Sequence, residues 1–546
     1  MFSAVQRPKI IQSMADYQFD LLVIGGGITG AGIALDAVTR GLSVALVDMQ
    51  DFTAGTSSRS TKLIHGGLRY LKQLEVKIVA ETGRERDIVY HNALHVTEPE
   101  RMLLPFYKGG TFGKYTTSVG LFAYDLLAGV RKEERRAMLT PDETLQMEPL
   151  LKRDGLLGGG HYVEYRTDDA RLTIEVLKKA AEQSALCLNY AKAEQFIYKD
   201  GQVAGVTVRD QWNDRKFPVH AKVVVNAAGP WVDEVREKDG FSNDKRLCLS
   251  KGVHIVIDRL VFPLRQAIYF DAPDGRMIFA IPRGNKAYIG TTDTFYEGDP
   301  MNPLATEEDV HYLLDAVHHL FPETSIKRSD VESTWAGVRP LIYEGGKGAP
   351  SDISRKDEIW EAASGLITIA GGKLTGYRKM AETVVDLVVK RLHAKMAGPC
   401  VTEHLPLSGG DFRDAGHYQH FIESKANEAL LYGLSKEDGR KLAAFYGTNV
   451  DTVFTYAHAF QKGETGLSVA LQAEIFYAIH HEMALTPSDF FIRRQGDMYF
   501  HIDFVISIMK EATAFMGQLL SYSDDEEQRL LHELELHLTE TELRGE

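Results

Sequence analysis

Residues 20–48 constrain the fold more than any other stretch of this chain. An apolar run, Asp20 to Ile24 (DLLVI), leads into GGGITGAG, then a segment of helical character, Ile33 to Val38, then Gly41 and a second apolar run, Val44 to Val47. Strand, glycine turn, helix, strand is one βαβ unit, and such a unit calls for a parallel sheet covered by helices. Gly25, Gly27 and Gly30 fill the GxGxxG positions, and Gly26, Ile28 and Thr29 complete the turn. One glycine makes the tight turn, one lets the backbone approach a pyrophosphate, and one lets the helix pack closely on the strand. A lone GxGxxG is weak, but this one reaches an acid, Asp48, about 20 residues on, where a contact to a ribose hydroxyl requires it. The acid also disfavours a 2′-phosphate, which argues against NADP.

Three further segments share this chemistry. In Gly55 to Tyr70 (GTSSRSTKLIHGGLRY), the hydroxyls of Ser57, Ser58 and Thr61 precede Lys62, and His65 precedes the pair Gly66-Gly67. Hydroxyls, a cation and paired glycines suit phosphate and a flat ring, and the apolar Leu63 inside the polar run predicts burial against something. Asn226-Ala227-Ala228-Gly229-Pro230-Trp231 and Gly371-Gly372-Lys373-Leu374-Thr375-Gly376 each end an apolar run that reads as a buried strand. Ligands of open parallel sheets bind at such strand ends. The second of these leads into a helix whose N-terminus can stabilise negative charge on a flavin. Glycine-bearing strand ends so far apart in sequence predict one discontinuous dinucleotide unit.

Length sets a soft prior of about three domains for 546 residues. With 44% hydrophobic and 25% charged residues the chain is globular, and a formal charge of −14 leaves no general basic field for nucleic acid. Any anionic ligand therefore needs a local basic pocket. Cys187, Cys248 and Cys400 are far apart and form no CxxC, which predicts neither a zinc knuckle nor a disulfide framework and fits a reducing, cytoplasm-facing location. The sequence shows no apolar run of ~18 residues and no signal-peptide pattern. Val119 to Val130, flanked by Lys114, Arg131, Lys132, Arg135 and Arg136, reads first as a core helix with a charged end and second as an interfacial anchor. Strand signals dominate 236–349 and helical ones the chain after about Ala397, where Ser523 and Glu526 mark a capping box. His480-His481-Glu482 and His318-His319 lack HExxH spacing, and adjacent histidines on a helix face different ways, so no metal site is expected.

The motifs GGGITGAG, GTSSRSTKLIHGGLRY, SKGVHIV, TTD, WAGVRPL and AGGKLTGYRKMAE, in this order, resemble the FAD-dependent glycerol-3-phosphate dehydrogenases, within the wider glycine and D-amino-acid oxidase flavoproteins. The resemblance covers residues 17 to 395 and continues more weakly beyond. It implies an α/β chain, α+β overall, with three parts. These are a discontinuous Rossmann-like FAD domain (1–98, 150–235 and 350–397), an antiparallel-sheet substrate domain (99–149 and 236–349) and a helical C-terminal domain (398–546). The implied reaction oxidises sn-glycerol 3-phosphate to dihydroxyacetone phosphate by hydride transfer to FAD, with electrons passing to membrane quinone. That places the chain on the inner face of the cell membrane without spanning it, and leaves a homodimer open. Matched to the family's motifs, Arg69, Tyr70, Arg355 and Lys373 are the substrate-binding candidates. His254 and Arg339 are the candidates for deprotonating or polarising the hydroxyl, and His65 packs beside the flavin in a structural or catalytic role. Arg339, between Val338 and Pro340, is expected to meet an anion, because an unpaired cation in an apolar setting is costly. Two other readings stay open on the sequence: a glycerol-phosphate oxidase making peroxide, and a flavoprotein in which FAD is only structural.

Overall fold

The structure, a computed structural model, describes residues 2–65, 76–110, 135–240, 245–343, 356–460 and 465–543. Among these residues the first sheet has eight strands, and the central ones are parallel. Strand Gln18–Ile24 lies between Val44–Val47 and Arg215–Asn226, with Ile24 opposite both Val47 and Asn226. Ile367–Ala370 joins beyond, pairing Ile367 with Val225. These strands read as continuous apolar runs because both faces are covered: Leu21, Leu22 and Val23 are fully buried. Helices Asp169–Glu182, Ile28–Thr39 and Tyr377–Leu392 pack side by side as one covering layer, and helix Arg7–Asp16 also packs against strands Arg215–Asn226 and Leu186–Leu188. Ile28–Thr39 and Tyr377–Leu392 approach closely at Gly32, where any Cβ would stand 2.9 Å from the Tyr377 ring.

Two strands follow helix Asp169–Glu182. Leu186–Leu188 adds in parallel to Val44–Val47, whereas Ala191–Lys199 turns back to pair antiparallel with Gln202–Asp210. The break falls at Tyr190, whose φ of 49° no continuous strand accepts.

Among the described residues the second sheet has ten strands, mostly antiparallel, and rests on the long pair Arg246–Asp258 and Val331–Tyr343. Leu156–Thr167 belongs to this sheet, although the expected division put residues 150–167 with the cofactor unit. It pairs with Thr97–Tyr107 from Thr97 opposite Thr167 to Tyr107 opposite Leu156. Its partner lies some fifty residues upstream, across a segment outside the described residues, so no local signal assigns it. The same strand pairs with Leu63–Ile64, which ties the hydroxyl-rich segment to the second sheet.

After Ala370 the described residues form helices and no strand. The last long helix, Asp524–Glu542, opens as read from the sequence: Glu526 N–H donates to Ser523 Oγ and Ser523 N–H donates to Glu526 Oε2. Between Arg171, Glu175 and Lys178 on the first domain and Glu482 on the C-terminal one lies a fully buried ion cluster that joins the two. His481 bonds the Tyr456 hydroxyl and His480 the carbonyl of Phe476. The run Val119 to Val130 lies outside the described residues.

Candidate active site

The C-terminal ends of three parallel strands and one edge of the second sheet enclose a cleft of about 1150 Å³. Its floor is the glycine turn. Gly25 has φ +113° and sits so close to the next strand end that a Cβ would meet the Ala227 carbonyl oxygen at 2.5 Å. Gly27 faces the opening, where a Cβ would come within 3.1 Å of Ser57 Oγ. That hydroxyl accepts from the Ile28 N–H, so it stands at the N-terminus of helix Ile28–Thr39. Asp48 closes the turn: its carboxylate accepts from Gly26 N–H at 2.6 Å and Gln50 N–H at 2.8 Å. Burial raises its pKa to about 6.

Ala227, Ala228, Gly229 and Trp231 line the same cleft, as do Gly371, Gly372, Lys373, Leu374 and Thr375, with Thr29, Thr61, Leu63 and His65. The two distant motifs are locked together at Thr375, whose Oγ1 donates to the His65 carbonyl and accepts the His65 N–H, both at 3.1 Å. Gly26, Gly30, Ser58 and Lys62 do not reach the cleft wall. Gly26 is pressed against the Phe52 ring and Gly30 against Gly25 and Val23, so both serve packing. Lys62 turns inward instead: its Nζ lies 2.6 Å from Asp169 Oδ1 and donates to the carbonyl of buried Ser58, with the side chain 2% exposed. A buried ammonium needs a carboxylate, and Asp169 supplies it. Gly66, Gly67, Arg69, Tyr70 and Arg355 lie outside the described residues.

At the second-sheet end, Arg339 and His254 face the cleft from neighbouring strands. Arg339 has the anion the sequence called for, but from the protein: Nη1 lies 3.3 Å from Asp293 Oδ1, and Nη2 donates to Thr291 Oγ1 at 3.0 Å. Ser250 Oγ donates to the same Asp293 carboxylate. The sequence signal for this partner is the TTD motif at 291–293. His254 is clamped on three sides. Its ring stacks on Trp335 at 4.6 Å and 10°, its Nε2 bonds Thr61 Oγ1 at 3.0 Å, and its other face lies where a Cβ on Gly290 would intrude at 2.1 Å. Burial, then the positive charges of Arg339 and Lys62, hold its pKa well below the usual value, so the imidazole is neutral. Tyr269 and Phe279, stacked at 4.2 Å, form an apolar wall beside His65.

The arrangement gives one elongated ligand a phosphate-compatible cradle at one end and a neutral imidazole and a guanidinium at the other, with Lys373 on the wall of the same cleft. Residues 20–378 match the family model of FAD dependent oxidoreductases, and residues 400–527 that of the C-terminal domain of alpha-glycerophosphate oxidase. The aerobic glycerol-3-phosphate dehydrogenase of Staphylococcus saprophyticus is 55% identical over 99% of this chain and 98% of its own length, and that of Staphylococcus aureus 54% over the same shares. The crystal structure of the glycerol-3-phosphate dehydrogenase from Bacillus halodurans complexed with FAD superposes with a TM-score of 0.87, at 46% identity, over 99% of this chain and 98% of that one. L-alpha-glycerophosphate oxidase from Mycoplasma pneumoniae, 17% identical over 68% of this chain and 95% of its own, shares the fold at a TM-score of 0.56. The chain belongs to the aerobic glycerol-3-phosphate dehydrogenase family of FAD-dependent oxidoreductases.

Proposed function

We propose that the cleft binds FAD along the glycine cradle and oxidises sn-glycerol 3-phosphate to dihydroxyacetone phosphate at its second-sheet end, handing the electrons to a membrane quinone. The cradle fits the cofactor. Gly27 leaves a space beside Ser57 that any side chain would fill, and the N-terminus of a twelve-residue helix opens onto it. When bound, FAD supplies the hydride acceptor. The protein supplies the rest. His254, held neutral at rest, is poised to take the C2 hydroxyl proton; Arg339 stabilises the oxyanion that develops there. Fixing Arg339 against Asp293 and Thr291 orients its fork before substrate arrives, so little reorganisation is needed during the reaction. Lys373, with Arg69 and Arg355, provides the charge a phosphate monoester requires, and Tyr70 adds a hydroxyl donor.

The observation that carries this reading is the convergence of His254, Arg339 and Lys373 on one cleft with the cofactor cradle. Anaerobic addition of glycerol 3-phosphate should bleach the yellow flavin band, and plain glycerol should do so far more weakly. A band that glycerol 3-phosphate leaves unchanged would refute it. His254→Asn discriminates the base: with His254 in that role, the acid limb of the wild-type flavin-reduction rate falls well below pH 6.5 and vanishes in the variant. An unchanged rate and profile would remove His254 from that role.

A further inference from the structure

Asp51, three residues beyond the ribose-side acid, is a fully buried carboxylate, and the charges around it come from the far end of the chain. Arg493 Nε donates to its Oδ2 at 2.6 Å, and Arg494 grips both oxygens, Nη1 to Oδ2 at 2.8 Å and Nη2 to Oδ1 at 2.9 Å. Asn189 Nδ2 adds a fourth donor to Oδ1 at 2.8 Å. Both arginines are buried, in a π-helical turn over Asp489–Arg494 of the C-terminal domain. Such turns are uncommon and often mark functional sites. They are fixed in their turn: Arg493 Nη2 donates to Asp489, which also takes the Tyr190 hydroxyl, and Arg494 donates to the Glu482 carbonyl.

The other side of the segment around Asp51 is the mould of the glycine cradle. Phe52 is pressed against Gly26, Thr53 N–H donates to the Gly26 carbonyl at 3.3 Å, and Asp48 takes the Gly26 N–H. Met49, Gln50 and Thr53 line the cleft itself. Thr53 holds φ at +70°, a conformation a β-branched residue keeps only when its surroundings impose it. The bonds to Gly26 tie this segment to the glycine turn, and through Asp51 the arginine pair ties it to the C-terminal domain.

We infer that Arg493 and Arg494 are positioning residues for the cofactor: through Asp51 they fix residues 48–54 against the glycine turn, so that the C-terminal helical domain sets how tightly FAD is retained. The inference assigns that domain a task in the FAD-binding reading, and its test separates the two. If the chain did not bind FAD at all, the wild type would already be colourless.

The experiment follows FAD release from the purified holoenzyme by recovery of flavin fluorescence after dilution, alongside the thermal midpoint of the apoprotein. The variants are Arg494→Met, the conservative Arg494→Lys, and Lys178→Met. The last cuts the other buried ion cluster across the same domain seam, without touching residues 48–54. Arg494→Met should speed FAD release at least about tenfold and Arg494→Lys less, whereas Lys178→Met should lower the midpoint but leave release within about twofold of wild type. Variants reloaded at saturating FAD should reduce their flavin at the wild-type rate, because the reacting end of the cleft is untouched. Wild-type release in the Arg494 variants, or equal acceleration in Arg494 and Lys178 variants, overturns the inference. Should Arg494→Met fail to fold, the Arg494→Lys and Lys178→Met pair decides alone.

Discussion

At the scale of single residues, the site depends on spaces as much as on groups. Gly27→Val would place branched carbons where the cradle must admit a pyrophosphate, with the first atom already 3.1 Å from Ser57 Oγ; the purified variant should be colourless, judged by its ratio of visible to ultraviolet absorbance. Asp48 makes flavin affinity depend on pH. In the free protein its pKa is raised to about 6, so below that value FAD must displace a proton before the carboxylate can accept from the ribose. Affinity should therefore fall as pH drops through about 6 and level off above it, in Kd measured by fluorescence quenching; in Asp48→Asn the dependence should disappear. Arg339→Met removes the preorganised donor and strands Asp293, and should slow flavin reduction by about 10²- to 10³-fold in stopped-flow measurements. Arg339→Lys, a point charge without the fork, should fall between. The GxGxxG turn and Asp48 were legible because their spacing is local. The partner of Arg339 was not, since a carboxylate 46 positions upstream is brought to it only by the pairing of strands.

Among elements, the informative joint is the one between the hydroxyl-rich segment and helix Asp169–Glu182. Lys62 was expected to reach the cofactor; it bonds Asp169 instead, with Asp168 at 3.9 Å, and Ser60 N–H donates to the same Asp169 carboxylate. Lys62→Met would leave that carboxylate buried without its cation, a loss of roughly 3–5 kcal/mol. The variant should show a lower thermal midpoint even when saturated with FAD; an unchanged midpoint would mean that the helix cap at Asp168 and the Ser60 bond suffice. The capped last helix could be read from four residues, Ser523 to Glu526. Strand Leu156–Thr167 could not be assigned to its sheet, because sheet membership is decided by a partner strand and not by the strand's own pattern. Nor could the seam between Asp51 and Arg494, whose members lie 443 positions apart.

For the molecule as a whole, charge and length bound how it meets a bilayer. Among the described residues no helix is long and apolar enough to cross a membrane, and the net charge of −14 opposes long-range attraction to anionic lipid. The attachment to a quinone-bearing surface that we propose would therefore have to be local. Val119 to Val130 with its flanking cations is our proposed contact, each cation adding about 1 kcal/mol near anionic headgroups. Anionic vesicles should float the wild type and lose Phe122→Glu/Leu126→Glu; a variant that floats equally well would make this run part of the core. The order of the parallel strands has a last consequence, for synthesis. Gln18–Ile24 must wait for Arg215–Asn226, and that strand for Ile367–Ala370, before the cradle is closed. A nascent chain that has emerged only as far as residue 360 therefore exposes an apolar sheet edge and has no complete flavin pocket. Flavin capture is then an event of the finished or nearly finished polypeptide, and cells short of flavin should accumulate full-length apoprotein, not truncated intermediates.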